Sequence, residues 1–396
     1  MSDPSATRVQ AGRRVPVVAA ISDILSGVDS WVWRLAAGFA GHERYDFRVL
    51  VCNRAQPRIG AAGHAPSARQ VAKFLDAAAP CVLLPNYAWP ALRAVARRPA
   101  ALPRISVIAY CHADSAEEYY HPLQWYEPIV DHFVAVSDAC RSGVQQRIPS
   151  RADDVALLPY GVERGRPRDA PPAAAPLRVL YAGRLQQEQK RALDLVPLCA
   201  RLHNRGVDIR LTIAGDGTER AALASGLARL AVNVNFLGTL PHDAMAELYR
   251  QQDVLVLVSD FEGTSNSLLE AMANGVVPVV TRTQSGVPDV VRDRKNGCIV
   301  DIGDMEAMAA AIAELAGDRA QLRHLQASAS KTAGTHSIEG NVATLTQIFD
   351  TALEQAPRTW PAGRSVHPEL PVKEGVFVPR RLRQLRDFVR RRLDLG

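Results

Sequence analysis

The sequence predicts an α/β fold made of two doubly wound, Rossmann-like domains facing a central cleft. Three observations carry this. Short apolar runs alternate with helical patterns along most of the 396 residues, one proline-rich break interrupts them, and the runs resume beyond it in the same style. Before the break the runs are VPVVAAIS, FRVLVCN, CVLLPN, ISVIAYCH, FVAVS and VALLPYGV. After it they are LRVLYAG, IRLTIAG, VNFLG, VLVLVS, VVPVVT and GCIVDI. Each is about a strand long and separated from the next by one crossover, the pattern of a parallel sheet buried on both faces. The break at 163–176, ERGRPRDAPPAAAP, has four prolines and no apolar periodicity, and is expected to be a linker. The expected boundaries are 1–170 for the first domain, 171–355 for the second, and 356–396 for a tail. Residues from 304 to about 355 read as helical.

The most informative segment is EGTSNSLLE, residues 262–270. It follows the buried run VLVLVS, and Leu268, Leu269 and Met272 supply the apolar stripe of a helix that Gly275 ends. Thr264 or Ser265 is placed to cap it. The loop then lies at the carboxyl edge of the sheet, where open α/β folds bind ligands, and the N–H groups of Ser265, Asn266 and Ser267 attract anions. Helical side chains lean toward the N-terminus, so Glu270 is expected to face the same mouth as Glu262. Arg184 and Lys190, in YAGRLQQEQKR after the first strand of this half, add two cations suited to a diphosphate.

Composition excludes other classes. A hydrophobic share of 47% and a charged share of 22% are those of an ordinary globular protein. The net charge is +6, and residues 380–396 hold seven arginines against two aspartates, so the body is close to neutral and a nucleic-acid partner is not expected. No apolar stretch reaches membrane-spanning length, and MSDPSATRVQAGRR lacks the apolar core of a signal peptide. A cytoplasmic location is expected. In RRLRQLRDFVRRRL, Leu382, Leu385, Val389 and Leu393 follow helical spacing between arginines, which fits either a terminal helix packed on the body or peripheral contact with anionic membrane at its inner face. The six cysteines lie far apart, mostly in apolar runs, and are expected to be buried thiols.

These motifs, in this order, resemble the nucleotide-sugar half of a GT-B glycosyltransferase of the retaining family 4, the group 1 glycosyl transferases. The matching segments are VLYAGRLQQEQK, LTIAGDG, VNFLGTL, SDFEGTSNSLLEAMANGVVPVVT, SGVPDVV and NGCIV, and with the helix beginning at Asp304 they cover residues 178–316. The first half is similar more loosely, through SGVDSWVWRLAAGFA, YCHAD, VAVSDACRSGV and LPYGVE.

The resemblance implies a metal-independent hexosyltransferase acting on a UDP- or GDP-sugar, with no cofactor and no metal site. It implies that Arg184 and Lys190 hold the donor diphosphate, Glu262 contacts the sugar, Glu270 binds the ribose, and Gly263, Thr264, Ser265, Asn266 and Ser267 offer main-chain groups. Gly27 would allow close approach to the diphosphate, and His112 would face the sugar from across the cleft. The implied acceptor is a glycan or lipid-linked saccharide of bacterial polysaccharide or cell-envelope synthesis. Tyr87, Trp89, Tyr119, Tyr120, Trp125 and Tyr126 could line an acceptor surface or pack in the core. Ser285 and Asp289, in SGVPD, depart from the family's usual glycine pair, x, Pro, Glu, and Arg184 and Lys190 stand one residue further apart than is usual. The rival classes are a binding scaffold without turnover and a GT-B epimerase or phosphorylase. A nicotinamide oxidoreductase fits poorly, because IAGDGTERA has arginine where the dinucleotide fingerprint needs its third glycine.

Overall fold

The computed structural model describes residues 14–21, 27–52, 68–86, 88–165, 175–230, 232–364 and 366. The basic tail at 380–396, with its membrane alternative, and Tyr87 lie outside them. Each of the twelve apolar runs forms a strand. The first sheet consists of β1 (Val15–Ile21), β2 (Tyr45–Val51), β3 (Cys81–Leu84), β4 (Ile105–Cys111), β5 (His132–Ala135) and β6 (Val155–Leu157), in the order β2-β1-β3-β4-β5-β6. The second consists of β7 (Leu177–Ala182), β8 (Ile209–Ala214), β9 (Asn233–Gly238), β10 (Val254–Leu257), β11 (Val277–Thr281) and β12 (Cys298–Val300), in the order β12-β11-β10-β7-β8-β9. All the pairings within them are parallel.

The helices of the first half are α1 (Gly27–Gly38), α2 (Ala68–Ala78), α3 (Trp89–Ala96), α4 (His121–Tyr126) and α5 (Asp138–Arg147). Those that follow are α6 (Leu195–Asn204), α7 (Arg220–Leu227), α8 (His242–Arg250), α9 (Asn266–Ala273), α10 (Val287–Val290), α11 (Met305–Gly317), α12 (Arg319–Ala333) and α13 (Ile338–Glu354). None of the described helices is long and apolar enough to cross a membrane.

The inner strands β10 and β11 of the second sheet are buried on both faces, as their uninterrupted apolar runs require, while the edge strand β9 is partly exposed. Val179, Tyr181, Val254 and Val256 pack into one apolar cluster with Leu211 and Ile213. Their alternates Leu180, Ala182, Leu255 and Leu257 join a cluster that holds Leu268, Leu269 and Met272 of α9 and continues into the first sheet. All six cysteines are buried free thiols. Burial pushes the thiols of Cys52, Cys81 and Cys199 up to about 12.

The order of each sheet reverses once, between β1 and β3 in the first and between β7 and β10 in the second. A ligand crevice is expected outside the carboxyl ends of the strands at such a point. The loop 183–191 follows β7 and the loop 258–265 follows β10, so the second reversal lies between the segments that carry Arg184, Lys190 and Glu262.

Residues 338–354, which the sequence runs on with the second domain, pack against the first sheet. Phe349 of α13 stacks on Phe39 with ring centroids 5.9 Å apart, and Asp350 accepts a hydrogen bond from the Tyr45 hydroxyl. The Arg104 guanidinium donates to the carbonyls of Ala352, Leu353 and Gln355 at the helix end. The entry to α13 is pinned as well: Val162 N–H donates to His336 O at 2.8 Å, and Gly161 N–H donates to Asn341 Oδ1 at 2.7 Å. Phe349 is fully buried, so Phe349→Ala should cost about 3–5 kcal/mol in a urea titration. An unchanged midpoint would mean that α13 is not part of the first domain's core.

Candidate functional site

The helix α9 begins at the cleft. Ser265 stands at its N-cap in an extended conformation, as the sequence suggests, but no hydroxyl caps the helix. Thr264 Oγ1 donates instead to Val136 O of the first domain at 2.6 Å, and Ser265 Oγ lies 3.0 Å from Ser267 Oγ. The first N–H groups of a helix have no intrahelical partner, and here no capping side chain competes for them.

Around this turn the domains meet closely. A side chain at Gly263 would put its Cβ 2.1 Å from His112 O, and one at Gly286, where φ is +76°, would meet Gly263 O at 1.6 Å. Both positions therefore require glycine. Asn266 Nδ2 donates to Gly27 O at 2.5 Å, so Gly27, Gly263 and His112 converge on one end of α9. Ser285 and Asp289 also bridge the domains. The Ser285 and Ser137 hydroxyls lie 2.8 Å apart, and Asp289 Oδ2 accepts from Asp138 N–H at 3.2 Å.

The two glutamates sit in different settings. Glu262 is buried, and its Oε1 accepts from Lys190 Nζ at 2.5 Å and from Ser259 Oγ at 2.7 Å. The loop that brings Lys190 there is folded against 259–262: Gln189 O accepts from Asp260 N–H at 2.8 Å, and Arg191 Nη1 bonds Asp260 at 3.0 Å. Gln189 and Arg191 adopt positive φ values of 71° and 48°, which turn the chain so that Lys190 points inward. Arg184 is exposed at the rim and donates to Gln189 Oε1 at 2.8 Å. Glu270 accepts from the Tyr249 hydroxyl at 2.9 Å on one oxygen and from Arg34 Nη1 on the other.

His112 is buried among Trp31, Tyr110, Tyr119 and Tyr160. Asn86 Nδ2 donates to Leu84 O, which turns its Oδ1 toward His112 Nε2 at 2.9 Å, so Nε2 carries the proton. Nδ1 then accepts from the Tyr160 hydroxyl at 2.7 Å. With neutral partners on both nitrogens, burial lowers the ring's pKa to about 3. The imidazole is a neutral hydrogen-bonding group, and the atom it brings to Gly263 is its main-chain oxygen.

Sequence reasoning passed over Arg34, Tyr249, Ser259 and Asn86. One signal existed for Arg34, a charged residue inside the apolar stripe Val28, Trp31, Val32 and Leu35 of α1. The aromatic residues proposed as one face of an acceptor surface are mostly core: Tyr119, Tyr120 and Tyr126 are buried, and the Tyr120 ring fills the space beside Gly143.

Residues 176–318 match the model of the glycosyl transferases group 1 family. That region has the sequence of a group 1 glycosyl transferase, and the fold of the chain is GT-B. A D-inositol 3-phosphate glycosyltransferase of Thermobispora bispora is 30% identical over 228 residues, 53% of each protein. The lipopolysaccharide core biosynthesis glycosyltransferase LpsE of Rhizobium meliloti is 36% identical over 149 residues, 37% of this chain and 41% of that one. The chain spans about half the length of the curated relatives it matches. Among solved structures, HepE of Anabaena with UDP and glucose superposes with a TM-score of 0.65 at 17% identity, covering 85% of this chain and 100% of that one. The family match begins one residue before β7 and ends just after α11, so it holds Arg184, Lys190, Glu262 and Glu270 together.

Two outcomes follow from this geometry. Gly263→Ala should displace the His112 carbonyl, lower stability by about 1–3 kcal/mol in thermal unfolding and weaken any ligand held at the α9 turn. Because His112 is neutral when folded down to about pH 3 and titrates near 6.5 when unfolded, the unfolded state binds more protons between these values. Its contribution is therefore complete above pH 6.5 and is lost as pH falls toward 3. In His112→Asn that part of the pH dependence of unfolding should vanish, and an unaltered profile would contradict the buried neutral ring.

Proposed function

We propose that the chain transfers a hexose from a UDP- or GDP-sugar to a glycan or lipid-linked acceptor, with retention of anomeric configuration and without a metal ion, in bacterial polysaccharide or cell-envelope glycan synthesis. The observation that carries this is the Lys190–Glu262 pair, set beside the α9 N-terminus at the point where the second sheet reverses. In support, the similar protein LpsE is a lipopolysaccharide core glycosyltransferase by name, and the similar structure of HepE holds UDP and glucose. The proposed reaction is a cytoplasmic one.

In this reading the α9 N–H groups, Lys190 and Arg184 take the diphosphate, and Gly27 lets the first domain approach it. Glu262 accepts from hydroxyls of the sugar, and its bond to Ser259 keeps it oriented. Glu270 accepts from the ribose hydroxyls. Breaking the anomeric C–O bond places negative charge on the departing phosphate oxygens, and donors fixed in advance stabilise that charge without reorganising. The acceptor hydroxyl then attacks from the same face, and its proton passes to the leaving phosphate oxygen. His112, neutral and hydrogen-bonded at both nitrogens, supports the wall of the sugar site rather than acting as an acid or a base.

A thermal-shift panel of nucleotide sugars should identify the donor, since a ligand of the native state raises its melting temperature. With that donor, Lys190→Ala should lower kcat/KM on the order of a hundredfold or more, as loss of one well-placed donor does. Product NMR should show the donor's anomeric configuration retained. Inversion, or a covalent glycosyl-enzyme trapped in Glu262→Gln and seen by mass spectrometry, would overturn the mechanism. Binding with no turnover on any donor would favour the scaffold.

A further inference from the structure

Arg34 is the most unusual charged side chain in the first domain. It lies in the buried stripe of α1 with its side chain only 3% exposed, and a buried guanidinium is unfavourable unless its N–H groups are paired. Its partners belong to the other domain. Nη1 donates to Glu270 Oε1, and Nη2 donates to Asn266 Oδ1 at 2.7 Å. Glu270 and Asn266 are four residues apart and so stand one above the other on α9. The planar fork of an arginine spans both, which a lysine cannot do.

We infer that Arg34 is a positioning residue for the ribose of the donor, holding the Glu270 carboxylate in its accepting orientation only while the two domains are closed. This rests on the proposal that Glu270 binds the ribose. A carboxylate has about four lone-pair sites. Arg34 takes one from the first domain, and the Tyr249 hydroxyl takes another at 2.9 Å from within the second. Two bonds from different sides fix the plane of the group and leave acceptor capacity for two vicinal hydroxyls. Asn266 returns the contact to α1 by donating to Gly27 O, so the Arg34 fork, the α9 turn and the loop expected at the diphosphate are one linked unit. Arg34 Nε is buried with no hydrogen-bond partner among the described residues and adds a further donor at this place. Ribose recognition is thereby coupled to closure, because half of what orients Glu270 comes from across the cleft.

The test is isothermal titration of the full chain and of Arg34→Gln and Arg34→Lys with UDP, GDP, their 2′-deoxy counterparts and inorganic pyrophosphate. The unsubstituted chain should prefer the ribonucleotide by about tenfold, the scale of a hydrogen bond to a charged acceptor. In both variants that ratio should fall toward one, with pyrophosphate affinity unchanged. Arg34→Lys keeps the charge and loses the fork, so it should follow Arg34→Gln. If Arg34→Gln does not fold, as judged by thermal unfolding, Arg34→Lys and Asn266→Ala carry the same comparison. A purely structural role would weaken every ligand alike and leave the ratio intact, which would overturn the inference. Tighter ribonucleotide binding by Arg34→Gln would overturn it too, since Arg34 would then compete with the ribose for Glu270. If the unsubstituted chain bound ribo- and deoxyribonucleotides equally, the ribose role of Glu270 itself would fail, and this inference with it.

Discussion

The cleft depends on one close approach, the main chain of Gly263 against the carbonyl of His112. At that separation no side chain fits, so the loop after β10 and the loop after β4 meet as bare backbone. The other contacts between the domains gather around it: Thr264 on Val136, Asn266 on Gly27, Ser285 on Ser137 and Arg34 on Glu270. All of them fall on or beside the first turn of α9, or on the loop that leads to α10. A short stretch of chain thus serves both as the uncapped N-terminal end of a helix and as the surface on which the other domain rests.

Charge is distributed accordingly. Lys190 and Glu262 neutralise each other within the second domain, whereas Glu270 draws its cation from the first. Surface pairs such as Arg201 with Glu306 contribute little to stability because water screens them. The buried pairs at the cleft are different in kind, since each is costly to break and each holds one of the paired glutamates, for which a donor contact is proposed. His112 fits the same pattern: a buried ring with two neutral partners adds no net charge to this part of the first domain.

The twelve strands were legible in the sequence because strands buried on both faces are written as continuous apolar runs, as in VLVLVS and VVPVVT. The helix after EGTS was legible because Leu268, Leu269 and Met272 repeat at helical spacing. Two features were not. The periodicity of 338–354 shows a buried face but not which sheet buries it, and Phe349 finds Phe39 some 300 positions away in the chain. Arg34, Tyr249 and Ser259 become partners of the paired glutamates only through packing, so no local spacing marks them. The capping hydroxyl illustrates the same limit: Ser265 stands at the N-cap without capping, and the neighbouring Thr264 hydroxyl donates to a carbonyl of the other domain.

The return of α13 to the first sheet changes how the two halves are joined. The chain passes between them twice, first between Val162 and Leu177 and again between Ala333 and Ile338, and the two passages are tied side by side through Val162 and Ser337. A single tether would act as a ball joint. The bridge between Val162 and Ser337 instead holds the start of one passage against the end of the other. The two halves are therefore joined at one edge by paired chain, on the same molecule whose facing loops meet at Gly263 and His112.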